Sequence, residues 1–300
     1  MGSRPGGEFV PAIEPDPGAR PIPGWWCAFR ETELLVRDRD GGADLPEALE
    51  PAGLGAGLAP VRRQFLGTLG GRPCWSAELA PDAEAPPGYR FLGLRSLFDV
   101  LPERAFALAG RAVQVVAWER DHAFCGRDGT PTAAVPGERA RRCPSCGLTA
   151  YPRLSPAAIV LVERPADGAA LLARGHNFPA NFYGLIAGFV EPGESLEEAV
   201  AREAAEEVGI RLADIRYAGS QPWPFPNSLM VGFTARWDGG DLVPQASELA
   251  DAGWFLPDAL PNLPPPPSIA RRLIDAWAAR WVDLRATDDQ PVAGVHPDHR

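Results

Sequence analysis

Three glutamates, Glu203, Glu206 and Glu207, fall within five residues, and Glu194 and Arg202 precede them. At i, i+3 and i+4 of a helix these carboxylates share one face. Like charges placed so repel one another, so a cation among them would explain the cluster. Ligands that are all oxygen point to Mg2+ or Mn2+, ions that also grip a diphosphate. Such ions neutralise phosphate charge, polarise a phosphorus–oxygen bond and acidify a water. The plain alternative is a solvated acidic face. It suffices for Glu197 and Glu198, with Glu198 paired to Arg202 at i+4.

The element that must carry these groups runs from Ser195 to Val208. It is rich in Ala, Glu, Leu and Val, with no internal Pro or Gly, which predicts a helix. Ser195 with Glu198 three residues on makes a capping-box pattern. Gly209 stands where a left-handed C-terminal residue is wanted. Leu196, Ala199, Val200, Ala204 and Val208 form the apolar stripe.

Gly188, Glu194 and Arg202 complete the pattern. Five residues separate Gly188 from Glu194, and seven more lead to Arg202-Glu203-Ala204-Ala205-Glu206-Glu207-Val208-Gly209-Ile210. This run resembles the Nudix box, whose family hydrolyses nucleoside diphosphates linked to another moiety. The resemblance implies that Arg202 has no metal role but pairs with Glu194 and orients the loop.

A second motif follows, Ser220-Gln221-Pro222-Trp223-Pro224-Phe225-Pro226-Asn227-Ser228. Its prolines exclude a helix and a central strand, so a stiff, extended loop is expected. Trp and Phe on such a loop offer flat surfaces suited to a purine or a nicotinamide. A proline-rich turn with buried aromatics is the plain alternative. The run is similar to the signature of the NADH pyrophosphatase branch of the Nudix hydrolases. The likeness extends from about Pro23 to Trp281 and is clearer after Phe124.

That branch splits the diphosphate of NADH or NAD, giving a nicotinamide mononucleotide and AMP. By position, the resemblance implies metal ligation by Glu203, Glu207, the backbone carbonyl of Ala187 and Glu248, with Glu206 in support. Glu207 is the first choice for proton acceptor. Phe189 and Tyr151 match the aromatic clamp on the nicotinamide, although core packing would be the reading of either taken alone. Gln221, Pro222, Trp223, Pro224, Phe225, Pro226, Asn227 and Ser228 would line the substrate, with Trp223 stacking. Glu138 and Ala270 match further contacts. Arg95 is either a phosphate contact or a surface arginine. The family also removes NAD caps from RNA, and a homodimer is expected, with Tyr151 serving the partner's site. A competing reading is a Nudix hydrolase of another dinucleotide, ADP-ribose or a diadenosine polyphosphate. A module that merely senses NAD would be expected to have lost box glutamates, and all are present.

Residues 122–152 carry two knuckles, Cys125-Gly-Arg-Asp128-Gly129 and Cys143-Pro-Ser-Cys146-Gly147. They resemble the four-cysteine zinc ribbon of the same branch, except that Asp128 stands in place of the second cysteine. Three outcomes are open. Zinc is held by Cys125, Asp128, Cys143 and Cys146; it is held more weakly, with His122 or water as fourth ligand; or the ribbon folds without metal.

The chain has 300 residues, 45% hydrophobic, with net charge -10. Its length admits two domains with real cores. The charge argues against broad affinity for nucleic acid. A local patch is open from Arg139, Arg141 and Arg142 or from Arg271 and Arg272. The sequence contains no lysine, which removes any lysine-based chemistry. Five cysteines, three of them in the ribbon, fit a reducing cytoplasm. Cys27 and Cys74, flanked by tryptophans, are expected in the core. No apolar stretch is long enough to span a membrane, and no signal peptide pattern opens the chain.

The expected organisation is a disordered tail over 1–22, an N-terminal domain over 23–120, a zinc-ribbon-like module over 121–152, a Nudix domain over 153–285 and a second tail over 286–300. In the N-terminal domain, strands are expected at Trp25–Val36, Phe65–Leu69 and Pro73–Leu79, and helix over most of Phe91–Ala117. From Ser155 the pattern becomes α/β (α+β), with strands at 157–162, 169–172 and 229–237 and a last helix capped by Ser268. This matches a mixed sheet sandwiched between helices, the Nudix architecture.

Overall fold

The computed structural model describes residues 7–55, 57–266 and 268–288, with side chains through Trp281. Two compact units divide the chain. The first runs to Arg153 and takes in Pro224–Asn227; the second holds the rest from Leu154.

In the first unit, β1 (Phe9–Pro11), β2 (Gly24–Arg30), β3 (Glu33–Arg39), β4 (Gly42–Asp44), β5 (Glu47–Ala48), β6 (Arg62–Leu69), β7 (Arg72–Glu78) and β8 (Tyr89–Gly93) form one sheet. β2 is central and buried on both faces. Trp25, Cys27 and Phe29 face one cluster; Trp26 and Ala28 face another. A two-sided strand reads as a continuous apolar run, as Trp25–Phe29 does. The first cluster is closed by α1 (Glu103–Asp121) through Leu108, Ala109, Ala112, Val115 and Val116. Cys27 and Cys74 are fully buried there.

Two expectations change in this unit. Phe9–Pro11, in the stretch assigned to a tail, add an edge strand to β6. Residues 91–93, read as helix, end strand β8, because Leu34 and Leu35 of β3 pair with Leu92 and Phe91. The ribbon follows as a small sheet of β9 (Ala133–Ala134), β10 (Arg141–Arg142) and β11 (Thr149–Ala150).

The second unit contains β12 (Ser155–Glu163), β13 (Ala170–Gly175), β14 (Ile186–Phe189), α2 (Leu196–Val208), β15 (Leu212–Trp223), β16 (Ser228–Trp237), β17 (Leu249–Phe255) and α3 (Ile269–Asp288). The strand order is β15-β16-β12-β13-β17, with β14 also on β12. β12 pairs parallel to β16 and antiparallel to β14, so the sheet is mixed. Alternate residues of β12 face opposite ways. Ala158, Val160 and Val162 pack with Ala199, Val200, Ala204 and Val208 of α2. Ile159 and Leu161 pack with Ile269, Leu273, Ile274 and Trp277 of α3. The sheet is therefore sandwiched between the two helices, as expected.

The segment 220–228 is a loop in part. Ser220–Trp223 continue β15 in register with β16. Pro222 is tolerated because β15 is an edge strand with one side unpaired. Pro224–Asn227 make the turn, with a cis Phe225–Pro226 bond. Of the C-terminal tail expected over 286–300, α3 takes in residues to Asp288, and the rest lies outside the described residues.

Candidate active site and zinc centre

The helix start is built as its sequence predicts. Ser195 Oγ accepts from Glu198 N at 3.2 Å, and Glu198 Oε2 accepts from Ser195 N at 2.7 Å. This bond occupies the Glu198 carboxylate, so the expected i+4 pair with Arg202 does not form. Gly209 closes the helix at φ 74°, a backbone conformation that glycine adopts without strain.

Arg202 instead organises the loop before the helix. Its Nε donates to Glu194 Oε1 at 2.6 Å and its NH2 to Glu194 Oε2 at 3.0 Å. The same NH2 reaches the Phe189 carbonyl at 2.9 Å. NH1 donates to Glu203 at 2.9 Å and Glu206 at 3.0 Å. This fork is the pairing the resemblance implies, and it holds the Glu194 carboxyl below its ordinary range.

Glu207 is different in kind. It is 7% exposed. Burial, then the charges of Glu203 and Glu248, push its carboxyl up to about 8. Glu248 is brought near by the turn before β17: Gln245 N donates to the Glu207 carbonyl at 2.7 Å, and Glu248 N to the Gln245 carbonyl at 3.0 Å. Gly188 supplies space on β14, since a Cβ there would lie 1.9 Å from Glu203 Oε1. Half-buried Glu203 and exposed Glu248 thus set their charges against the buried Glu207 carboxyl, with Glu203 seated against the bare backbone of Gly188. This all-oxygen donor set fits a divalent cation of the Mg2+ type.

The sequence-assigned substrate residues divide by environment. Phe189 and Tyr151 are each 58% exposed, which excludes core packing for both. Tyr151 Oη donates to Glu138 Oε2 at 3.0 Å, coupling two of the assigned positions in the first unit. Gln221 Oε1 accepts from Ile269 N at 2.7 Å, so this side chain caps α3. Ala270 is buried on α3. In the first unit, Phe225 packs on the core and carries Arg95 over its ring at 4.5 Å. Pro224 lies against Gly110 of α1. Neither the Arg95–Phe225 stack nor the Gln221 cap has a local signal along the chain. Both join residues far apart along the chain.

The ribbon brings Cys125, Asp128, Cys143 and Cys146 together, their ligand atoms all within 4.8 Å of one another. Cys125 Sγ lies 3.6 Å from Cys146 Sγ, and Cys143 Sγ 3.6 Å from the Asp128 oxygens. A tetrahedral zinc with Zn–S near 2.3 Å has edges of about 3.8 Å. The two knuckles are built alike. Gly129 and Gly147, at φ 73° and 75°, turn each chain back, and their amides donate to Cys125 O and Cys143 O. Asp128 Oδ1 accepts from Thr130 N at 3.0 Å, which keeps its carboxyl ionised well below the usual range. His122 turns its Nδ1 to the Trp118 carbonyl at 2.8 Å and is no part of the cluster.

Neither arginine patch survives intact. Arg139 donates to the Ala12 and Phe65 carbonyls, and Arg141 to Thr132 and Glu119. Arg271 pairs with Asp275 at 2.7 Å. Arg142 and Arg272 stay exposed.

Comparison with known proteins agrees with this construction. A NUDIX domain model matches residues 153–277, an NADH pyrophosphatase-like rudimentary NUDIX domain matches 23–118, and the NADH pyrophosphatase zinc ribbon domain matches 120–151. The NAD-capped RNA hydrolase NudC of Deinococcus radiodurans is 48% identical over 82% of this chain and 84% of its own length. The protein of the same name from Chromobacterium violaceum is 44% identical over 92% of this chain and 100% of its own. A solved Nudix hydrolase from Nitrosomonas europaea shares 25% identity, with a TM-score of 0.43, over 56% of this chain and 94% of its own. With the three modules in this order and such identity along most of the curated relatives, the chain belongs to the Nudix hydrolase family, in its NADH pyrophosphatase branch.

Proposed function

We propose that this protein hydrolyses the diphosphate of NAD(H) to a nicotinamide mononucleotide and AMP, and removes NAD caps from RNA by the same cleavage. The observation that carries the reading is Glu207, buried and facing the charges of Glu203 and Glu248, with the Glu203 carboxylate seated against Gly188. Glu203, Glu206, Glu207, Glu248 and the Ala187 carbonyl would hold Mg2+ or Mn2+, which supplies charge neutralisation and acidifies water when bound. A water oxygen forms a new bond to phosphorus, the bridging phosphorus–oxygen bond breaks, and Glu207 takes the water's proton. Arg202 fixes Glu194 and the Phe189 carbonyl, and so the loop that faces the substrate.

In the second unit Phe189 supplies an exposed aromatic face for the nicotinamide and Trp223 a further surface; in the first unit Tyr151 supplies an exposed aromatic face for the partner's site. Zinc in the Cys125–Asp128–Cys143–Cys146 cluster would hold the ribbon that carries Glu138 and Tyr151. None of the five cysteines forms a disulfide, which suits the cytoplasm. A homodimer is proposed by family likeness; sedimentation tests it.

The functional test is product analysis with NADH, NAD, ADP-ribose and NAD-capped RNA, each with Mg2+ or Mn2+. AMP and reduced nicotinamide mononucleotide from NADH, formed faster than ADP-ribose is cleaved, support the reading. Faster cleavage of ADP-ribose or a diadenosine polyphosphate would replace it.

A further inference from the structure

The second unit carries a groove of about 270 Å3 between α3 and the edge strand β15, with Ser220, Thr234, Arg272, Ala276, Trp277 and Arg280 on its walls. Arg272, Ala276 and Arg280 are spaced i, i+4, i+8, so they line one side of α3 over roughly 12 Å. Arg216 stands opposite Thr234 in the β15–β16 register, and directly paired residues share a face. Arg216 is therefore on the same rim. Arg216 and Arg272 are exposed, and among the described residues neither pairs with a carboxylate. Arg280 is 61% exposed and meets Glu163 at 3.4 Å. The other acids nearby are engaged, Asp275 with Arg271 and Asp214 with Arg236.

We propose that this groove binds the phosphate backbone of single-stranded RNA beyond the cap. In a chain of net charge -10, a groove lined by Arg272 and Arg280 with Arg216 on its rim is a local reversal of sign. Its arginines follow one another along α3, with the Thr234 hydroxyl on the facing strand. Together these match backbone tracking without sequence readout. The groove starts where Gln221 Oε1 meets Ile269 N. One strand, β15, thus carries Arg216 at the rim of the groove and Gln221–Trp223 in the segment assigned to the nicotinamide dinucleotide. The inference takes its ligand from the RNA part of the proposed function.

The test is the triple variant Arg216→Gln/Arg272→Gln/Arg280→Gln of the full chain. Its kcat/KM on an NAD-capped RNA of about 12 nucleotides should fall at least tenfold, through KM, while kcat/KM on NADH stays unchanged. Binding of the uncapped oligonucleotide, read by fluorescence anisotropy, should weaken equally, and its log–log salt slope should flatten by about 2. Equal losses on capped RNA and NADH would overturn the groove. So would a wild-type protein that does not bind the uncapped strand, or a triple variant that binds it as tightly. A changed sedimentation coefficient in the variant would instead make the groove a contact between copies and also overturn it. Oligonucleotide binding lost in the variant, with wild-type protein inert on capped RNA, would sink the decapping reading and leave the groove standing.

Discussion

A Cβ built on Gly188 would lie 1.9 Å from Oε1 of Glu203 and 2.0 Å from its Cδ. The glycine is needed for space, since it lies in the extended strand β14. In Gly188→Ala the clash is with the far end of a flexible side chain, so the fold should adjust by turning Glu203 away. Tm should move by no more than about 3 °C. Affinity for Mn2+ and turnover of NADH should each fall at least tenfold, about 1.4 kcal/mol. Wild-type Mn2+ affinity in a titration would show that Glu203 is not held where the cation binds.

Glu207 makes the metal-free protein sensitive to pH. Its carboxyl is raised from 4.5 to about 8 by burial and by Glu203 and Glu248. Below the lower value both folded and unfolded chains carry the proton, and the group contributes nothing. As pH rises, the unfolded chain ionises first, so stability is lost between the two values and levels off beyond the upper one. In EDTA, Tm should decline from pH 5 to pH 8, and Glu207→Gln should flatten that decline. Adding Mn2+ at pH 7 should release a proton from wild type and not from the variant, read as a buffer-dependent binding enthalpy. Identical Tm profiles for the two proteins would contradict the assignment.

The catalytic helix was legible in the sequence because every signal there is local: Ser195 with Glu198, the stripe from Leu196 to Val208, and Gly209 all act within one turn of their partners. The same holds for the two ribbon knuckles. What escaped are pairings across the chain. Leu212–Trp223 and Leu249–Phe255 are strands because β16 and β13 accept them, and Pro222 in the first disguised an edge strand as a loop. The arginines misled for a related reason. Charge alone does not separate Arg141, bound to Glu119, from Arg272, exposed on a groove; only the partners do.

The ribbon makes a third test. Asp128 completes a cluster with three cysteines and is ionised by its bond from Thr130 N. A carboxylate is a harder ligand than the thiolate that the family ribbon carries at that place. Asp128→Cys should therefore slow zinc release to a chelator by on the order of tenfold, and Asp128→Ala should hasten it by a similar factor. Zinc content and release are read directly with a chromophoric chelator, independently of NADH cleavage. Equal release from all three proteins would mean that Asp128 is no ligand.

Arg141 and Glu119 offer the sharpest stability test. The pair meets at 3.2 Å with side chains 16% and 10% exposed, and Arg141 also donates to Thr132 Oγ1 and to the Thr132 carbonyl. Glu119 Oε2 has no hydrogen-bond partner among the described residues, so Arg141 is its main compensation. Arg141→Met would leave a buried carboxylate unpaired, a loss of about 3 kcal/mol. Arg141→Met with Glu119→Met removes both charges and fills much of the same volume, and it should recover most of that loss. A phosphate-binding role for Arg141 predicts the reverse pattern: full stability in the single variant and weaker RNA binding. Urea unfolding of the two variants distinguishes them, because the structural role requires a positive coupling that an exposed, ligand-seeking arginine cannot produce.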